Sequence, residues 1–296
     1  MTATRPCEVC GASDPEPVLR SERLDGPLVR CRSCGLLYVG RRERDFTFAT
    51  TDPARSGALA ERVEALELVD HDVEEAEAPW RSLVHEQRLA AIARHGAAGR
   101  LLDVGCSTGE FIAAAAAAGF QAQGIEPDPA TSRLARERTG LPVTTGTLAD
   151  AALPAESADV ATLWHVIEHL DSPRAALEEL RRVLAPGGLV AIETPAADSL
   201  WFRLLRGRWR QLIPDHYFFF SRSTLARLLR AAGFDVVELE KVGRRVSGRF
   251  LADRLRRVHP ALGAVGRGAV RLARAEERTL RINPGDIMLA VAKRRD

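Results

Sequence analysis

The sequence predicts an α/β fold: a mostly parallel seven-stranded sheet with helices on both faces, preceded by a small metal-stapled ribbon. Three observations carry that expectation. Residues 100–126 read as strand, glycine-rich turn, helix, strand and terminal acid. Beyond them, short apolar runs alternate with amphipathic stretches, the pattern of strands joined by crossover helices. Four of the five cysteines fall before residue 35, as Cys7-x2-Cys10 and Cys31-x2-Cys34. The 296 residues suffice for one full α/β domain and a small accessory unit.

Residues 1–40 form the expected ribbon. A two-residue gap lets both thiolates of a pair reach one tetrahedral ion. Gly11 and Gly35 follow the second cysteine of each pair, where the chain must turn around the metal. The stretch between the pairs is too short for an apolar core, so zinc on Cys7, Cys10, Cys31 and Cys34 would supply the folding energy. Residues 41–95 read as a linker and N-terminal helices: a polar stretch with Phe46 and Phe48, an acidic helical pattern from Ala58 to about Val69, and a helix from Trp80 to His95. In that last helix Leu83, Val84, Leu89 and Ile92 recur at helical spacing. Residues 96–296 form the main domain. Its strands are expected near 100–105, 121–126, 142–146, 158–165, 188–194, 234–242 and 286–293. Its helices are expected near 109–119, 129–139, 172–184 and 222–232. Two segments, 196–220 and 244–285, exceed this scheme; insertions at the carboxyl edge of such a sheet commonly build a substrate chamber.

The turn Gly105-Cys106-Ser107-Thr108-Gly109 lets backbone approach a ligand where a Cβ would clash, and the following helix offers free N–H groups. Glu126 lies 21 residues beyond Gly105 at the tip of the next strand, where a carboxylate can accept both hydroxyls of a ribose. The pattern therefore points to a nucleoside-containing cofactor. It is not a Walker loop, because Gly109 is followed by Glu110 rather than Lys, and it is not G-x-G-x-x-G. Asp103, two residues before the first glycine, repels pyrophosphate and suits a cationic sulfonium with its ammonium group. With these residues the chain resembles the class I S-adenosylmethionine (SAM)-dependent methyltransferases, over roughly residues 80–243 and the last ten. The resemblance implies a Rossmann-like sheet whose last strand inserts antiparallel beside its predecessor. It implies SAM contacts at Asp103, Gly105, Cys106, Ser107, Gly109, Phe111, Glu126, Pro127, Thr147, Leu148 and Trp164. Ser107 stands where the family usually has Gly. Many members have Asp at the place of Thr147, so Thr147, the Leu148 backbone or Asp150 is left to meet the adenine amino group.

After the fourth strand the chain reads Trp164-His165-Val166-Ile167-Glu168-His169, and His216 follows in Pro214-Asp215-His216-Tyr217-Phe218. His165, Glu168 and His169 are spaced i, i+3, i+4, which puts them on one side of a helical turn. The set resembles the ubiquinone-pathway O-methyltransferases and the small-RNA 2′-O-methyltransferases, in which a divalent metal assists transfer. Their motif reads Glu-Val-x-Glu-His with a later His in an Asp-His-x-Phe context, and His165 here replaces the first Glu. Three roles stay open for His165, Glu168, His169 and His216: a second divalent-metal site, a histidine general base, or shaping of the turn.

The net charge of +2 does not demand a nucleic-acid partner. Arginine supplies nearly all the positive charge, since Lys241 and Lys293 are the only lysines. It concentrates in the insertions, where residues 199–210 interleave four arginines with two tryptophans and 244–285 carry eleven arginines against three acids. Such segments suit an anionic or carrier-linked substrate, or form a solvated helical cap. No apolar run reaches membrane length and the N-terminus has no signal core, so a cytoplasmic protein with reduced cysteines is expected. The expected function is SAM-dependent methylation of a small molecule, at a hydroxyl of a secondary-metabolite or sugar-type substrate. The alternatives are an RNA methyltransferase gripping RNA through the ribbon and a non-catalytic SAM-binding module.

Overall fold

The computed structural model describes residues 5–44, 50–65, 81–247, 260–272 and 279–296. Phe46, Phe48, Trp80 and the end of the acidic helix expected to reach Val69 lie outside them. The ribbon folds as β1 (Pro15–Leu19), β2 (Leu28–Cys31) and β3 (Leu37–Val39), all antiparallel. Helices α1 (Pro53–Ala65) and α2 (Arg81–Ala93) follow.

The main domain then alternates: β4 (Arg100–Val104), α3 (Glu110–Ala117), β5 (Gln121–Glu126), α4 (Pro129–Thr139), β6 (Val143–Thr145), β7 (Ala158–Trp164), α5 (Pro173–Val183) and β8 (Leu184–Pro195). The first insertion carries α6 (Leu200–Leu205) and β9 (Phe218–Phe219); α7 (Arg222–Ala231) and β10 (Phe234–Lys241) come next. The second insertion carries β11 (Arg244–Ser247), α8 (Pro260–Leu272) and β12 (Thr279–Ile282), with β11 and β12 paired as a separate two-stranded sheet. Strand β13 (Ile287–Arg294) ends the fold.

The seven-stranded sheet has the order β10-β13-β8-β7-β4-β5-β6, with only β13 antiparallel to its neighbours. Chain progression goes outward from β4 to β5 and β6, then restarts on the other side with β7 and β8. The crevice outside the β4 and β7 carboxyl ends is therefore the topological switch point where such sheets bind ligands. Pro186-Gly187-Gly188 forms an irregularity within β8: Ala158 pairs with Leu184 while Val160 already pairs with Leu189.

Local chemistry explains the boundaries. Helix α4 starts at Asp128, whose side chain accepts from Thr131 N, with Pro129 at the first helical position, and ends at Gly140 with φ 68°. Ser172 caps α5, and Ser221 with Thr224 forms a reciprocal capping box on α7. On α5, Leu177, Leu180 and Val183 are fully buried while Glu178 and Arg182 are exposed; each such apolar side chain contributes about 1.5–3 kcal/mol on leaving water. Among the described residues no helix is long and apolar enough to cross a membrane.

The ribbon sheet has a fourth strand that the sequence does not announce. Order β1-β2-β3-β9 joins it to the first insertion, with Leu37 opposite Phe219 and Tyr38 opposite Phe218. One apolar core runs from Cys7, Leu28 and Tyr38 through Trp209 and Tyr217–Phe220 to Leu163 and Ile192.

Candidate active site

Strand β4 delivers the chain into a turn with three left-handed residues, Gly105 (φ 70°), Ser107 (φ 49°) and Gly109 (φ 83°). A Cβ on Gly105 would lie 2.6 Å from Val166 Cγ2, so the turn sits hard against the segment after β7. Helix α3 starts at Gly109 without any side-chain cap, leaving its first N–H groups to other partners. Glu126, at the end of β5, is buried and ties the turn down. Its Oε2 accepts from Ser107 N at 2.9 Å and its Oε1 from Asp128 N at 3.0 Å. Burial raises its pKa above the ordinary carboxylate value, partly opposed by those two N–H groups.

A cavity of about 420 Å³ opens over this edge, lined by Gly105, Glu126, Pro127, Thr147, Leu148, His165 and His169 among others. A concave, mainly apolar space with a few polar groups is what a nucleoside cofactor requires. The residues present fit SAM: a glycine surface that any Cβ would obstruct, a buried acid at the ribose position, and Leu148 for the base. Asp150 is occupied locally, its Oδ2 accepting from Thr147 N at 3.0 Å and Thr147 Oγ1 at 2.7 Å.

The other candidate contacts lie around this cavity rather than on its lining. Asp103 is beneath the turn, accepting from Thr162 Oγ1 at 2.6 Å, and burial pushes its pKa up to about 7 despite that bond. Cys106 turns its side chain into the core, because Gly124 below it leaves room; a Cβ there would lie 2.4 Å from Cys106 Sγ. Burial pushes the Cys106 thiol pKa up. Phe111 and Trp164 meet edge to face at 5.1 Å, and the Arg88 guanidinium of α2 lies 4.7 Å over the Trp164 ring. Together they form the wall that α2 closes.

The turn after β7 begins with His165 at φ 59°, a left-handed conformation that a non-glycine residue adopts at a cost of about 1–3 kcal/mol. The strain aims its ring between two carboxylates. Nε2 is 2.9 Å from Glu193 Oε1 and Nδ1 is 3.3 Å from Glu168 Oε1. Glu193 is itself held by Arg88, whose Nη2 and Nε donate at 3.0 and 3.3 Å. Glu168 is fully buried, and its Oε2 accepts from Thr194 Oγ1 at 2.9 Å. Burial opposes its charge, yet the His165 hydrogen bond and the charges of His165, His169 and His216 outweigh it and bring its pKa to about 2.

His169 and His216 pack edge to face with centroids 4.6 Å apart. His169 Nδ1 is 2.8 Å from Asp215 Oδ2 and 3.1 Å from the Asp215 carbonyl oxygen. Burial works against charging His169, but the Asp215 carboxylate prevails and raises its pKa to about 9. His216 donates from Nδ1 to the Gln211 carbonyl at 2.8 Å; burial, then the charge on His169, lowers its pKa to about 4. Ligand atoms of Glu168, His169 and His216 lie within 4.8 Å of one another. With both Nδ1 atoms engaged, each imidazole keeps Nε2 for a cation. Two imidazoles and a carboxylate, Glu168 and His216 buried and His169 half-buried at the cavity, suit a divalent transition metal. His165 stands beside this set and faces Glu193.

The four ribbon cysteines are free thiols with Sγ atoms mutually within 4.8 Å, and the pairs Cys7–Cys34 and Cys10–Cys31 are 3.5 Å apart. A tetrahedral zinc with bonds of about 2.3 Å spaces its sulfurs by about 3.8 Å. Two matched turns build the cluster: Gly11 N donates to Cys7 O at 2.7 Å, and Gly35 N to Cys31 O at 2.8 Å. Zinc fits this site.

Sequence reasoning misses Glu193 and Arg88, and it gives Asp215 only as part of the motif around His216. Glu193 carries the one available signal, a lone acid closing the buried run Leu189-Val190-Ala191-Ile192.

A glycine turn at the switch point, facing a buried acid on the next strand, defines a SAM-type nucleoside-binding domain of class I. The chain belongs to the methyltransferase-domain family, whose model matches residues 71–239. A Mycolicibacterium smegmatis protein named "Probable S-adenosylmethionine-dependent methyltransferase" is 36% identical over 152 residues, 51% of this chain and 56% of its own. A Cereibacter sphaeroides ubiquinone biosynthesis O-methyltransferase is 31% identical over 151 residues, 47% of this chain and 61% of its own. The matches thus span about half to three fifths of the length of these curated relatives. A SAM-dependent methyltransferase structure from Thermotoga maritima superposes with TM-score 0.51 at 22% identity, covering 77% of this chain and 99% of that one. Another from Archaeoglobus fulgidus gives TM-score 0.51 at 20% identity, covering 74% and 97%. These two share the fold.

Proposed function

We propose that the protein transfers a methyl group from SAM to a hydroxyl of a small secondary-metabolite or sugar-type acceptor, with a divalent cation held by Glu168, His169 and His216. The observation that carries this reading is His169, which belongs both to the cavity lining and to the three-residue donor set. Bound SAM supplies an electrophilic sulfonium methyl, so the donor needs no activation. The chain's work is to align the acceptor, exclude water and provide for the hydroxyl proton. Glu126 and Gly105 hold the cofactor's ribose and backbone-contacting side. Glu168, oriented by His165 and Thr194, and the Nε2 atoms of His169 and His216 hold the cation, which would lower the pKa of a hydroxyl beside it. The name of the Cereibacter relative supports oxygen as the acceptor atom. The near-balanced charge supports a small acceptor over nucleic acid.

The test is S-adenosylhomocysteine release over a panel of hydroxylated acceptors, before and after EDTA, with Mg²⁺, Mn²⁺ or Zn²⁺ restored. Loss, and recovery with Mg²⁺ or Mn²⁺, in protein shown by elemental analysis to have kept its ribbon zinc, support the reading. A second reading has its own observation, the strained backbone that holds His165 on the cavity wall. Turnover that survives EDTA and is lost in His165→Ala would select His165 as general base instead.

A further inference from the structure

We infer that the N-terminal ribbon is a positioning element of the reaction centre, each cysteine knuckle strapping one wall of it. The inference rests on reading the Glu168–His169–His216 cluster and its adjoining cavity as that centre.

The second knuckle, Cys31–Cys34, leads within three residues into β3. Cys31 N donates to Leu36 O at 2.9 Å, closing the knuckle directly onto the start of that strand. Strand β3 pairs with β9, and Val39 N donates to Tyr217 O at 2.9 Å. On its other side the same segment is bonded to the catalytic turn: Tyr217 N and Phe218 N both donate to Glu168 O, at 2.9 and 3.2 Å. His216 is the residue immediately before. Three backbone links therefore connect a metal knuckle to two of the three candidate cation ligands.

The first knuckle, Cys7–Cys10, holds the segment that follows this turn. Glu8, inside it, accepts from Ser172 Oγ at 2.6 Å. Arg174 donates from Nε to Glu8 O at 2.9 Å and from Nη2 to Val9 O at 2.7 Å. Ser172 lines the cavity and caps α5. A ribbon serving only as an external grip would need no bonds to either wall. This one is short of core of its own, so its shape depends on its metal, and both straps inherit that dependence.

The test is hydrogen–deuterium exchange on the full zinc-loaded chain, before and after zinc is withdrawn with a thiol-directed mercurial, and in Cys34→Ser. Zinc loss should speed exchange in residues 168–176 and 213–220 by about tenfold or more, while β4 and β5 stay protected. Displacing the mercurial with excess free thiol and then refilling the ribbon with Cd²⁺ should restore protection. Because Cys34→Ser can misfold globally, the double variant Glu8→Ala, Arg174→Ala provides a second handle. It keeps all four cysteines, and it should loosen 168–176 alone. In enzyme turning over, zinc loss should lower kcat with the KM for SAM moving less than about threefold. Unchanged exchange at 213–220 after zinc is gone overturns the inference. The exchange readout requires no turnover, so it stands or falls separately from the proposed reaction, which the EDTA titration tests.

Discussion

Glu126 is asked to do two things at once. Its oxygens hold Ser107 N and Asp128 N, and the same carboxylate is the ribose acceptor of the proposed complex. Glu126→Ala should therefore weaken SAM binding by about 2–4 kcal/mol, the loss of a charge-assisted bidentate contact, measured by calorimetry. Asp103 gives a pH signature. Its folded pKa of about 7 stands above the ordinary value of 3.8. The folded state thus holds a proton that the unfolded chain releases, and this stabilisation is present at low pH and lost as pH rises through 7. At about 1.4 kcal/mol per unit the effect is bounded at about 4 kcal/mol. The melting temperature of Asp103→Asn should gain on wild type between pH 5 and 8; a difference that does not change with pH would refute the burial account. At this scale the sequence is legible where a role depends on spacing. Gly105, Glu126 and the Glu168-His169 pair stand out because a glycine turn, an acid at a strand tip and an adjacent acid-imidazole pair are visible in the sequence itself. Glu193 and Arg88 do not, since each reaches the site from a different element and only the fold brings them to His165 and its neighbours. The inward turn of Cys106 is equally hidden, being set by the missing side chain of Gly124 one strand away.

Elements were readable in proportion to their own regularity. Strands β4, β5, β7, β10 and β13 and helices α4, α5 and α7 appear where apolar runs, caps and periodicity put them. Their inward faces are continuous, and Leu180→Ala on α5 should cost about 2–5 kcal/mol in urea unfolding. Strand β9 is the contrary case. Two residues in an aromatic run show no alternation, and Phe218-Phe219 become a strand only because β3 offers an edge. For the same reason the ribbon reads in sequence as a self-contained unit and is found sharing a sheet and a core with the first insertion. Elemental analysis of protein never exposed to chelator should give one zinc per chain beyond any ion at the histidine cluster. Absence of zinc would refute the metal-stapled ribbon.

For the molecule as a whole, one reversal of strand order brings the glycine turn after β4 next to the histidine turn after β7. The first insertion and the ribbon then bond to the histidine turn and the segment after it. The account's central claim is that cofactor and cation occupy neighbouring parts of this one site. The most direct measurement is a crystal structure with S-adenosylhomocysteine and Mn²⁺, the ion located by anomalous scattering. The account predicts ribose hydroxyls on Glu126, the sulfur facing the His165 turn, and Mn²⁺ on Glu168, His169 and His216. S-adenosylhomocysteine bound away from Glu126, or a saturating Mn²⁺ soak that leaves Glu168, His169 and His216 in their mutual contacts without an anomalous peak, would contradict it.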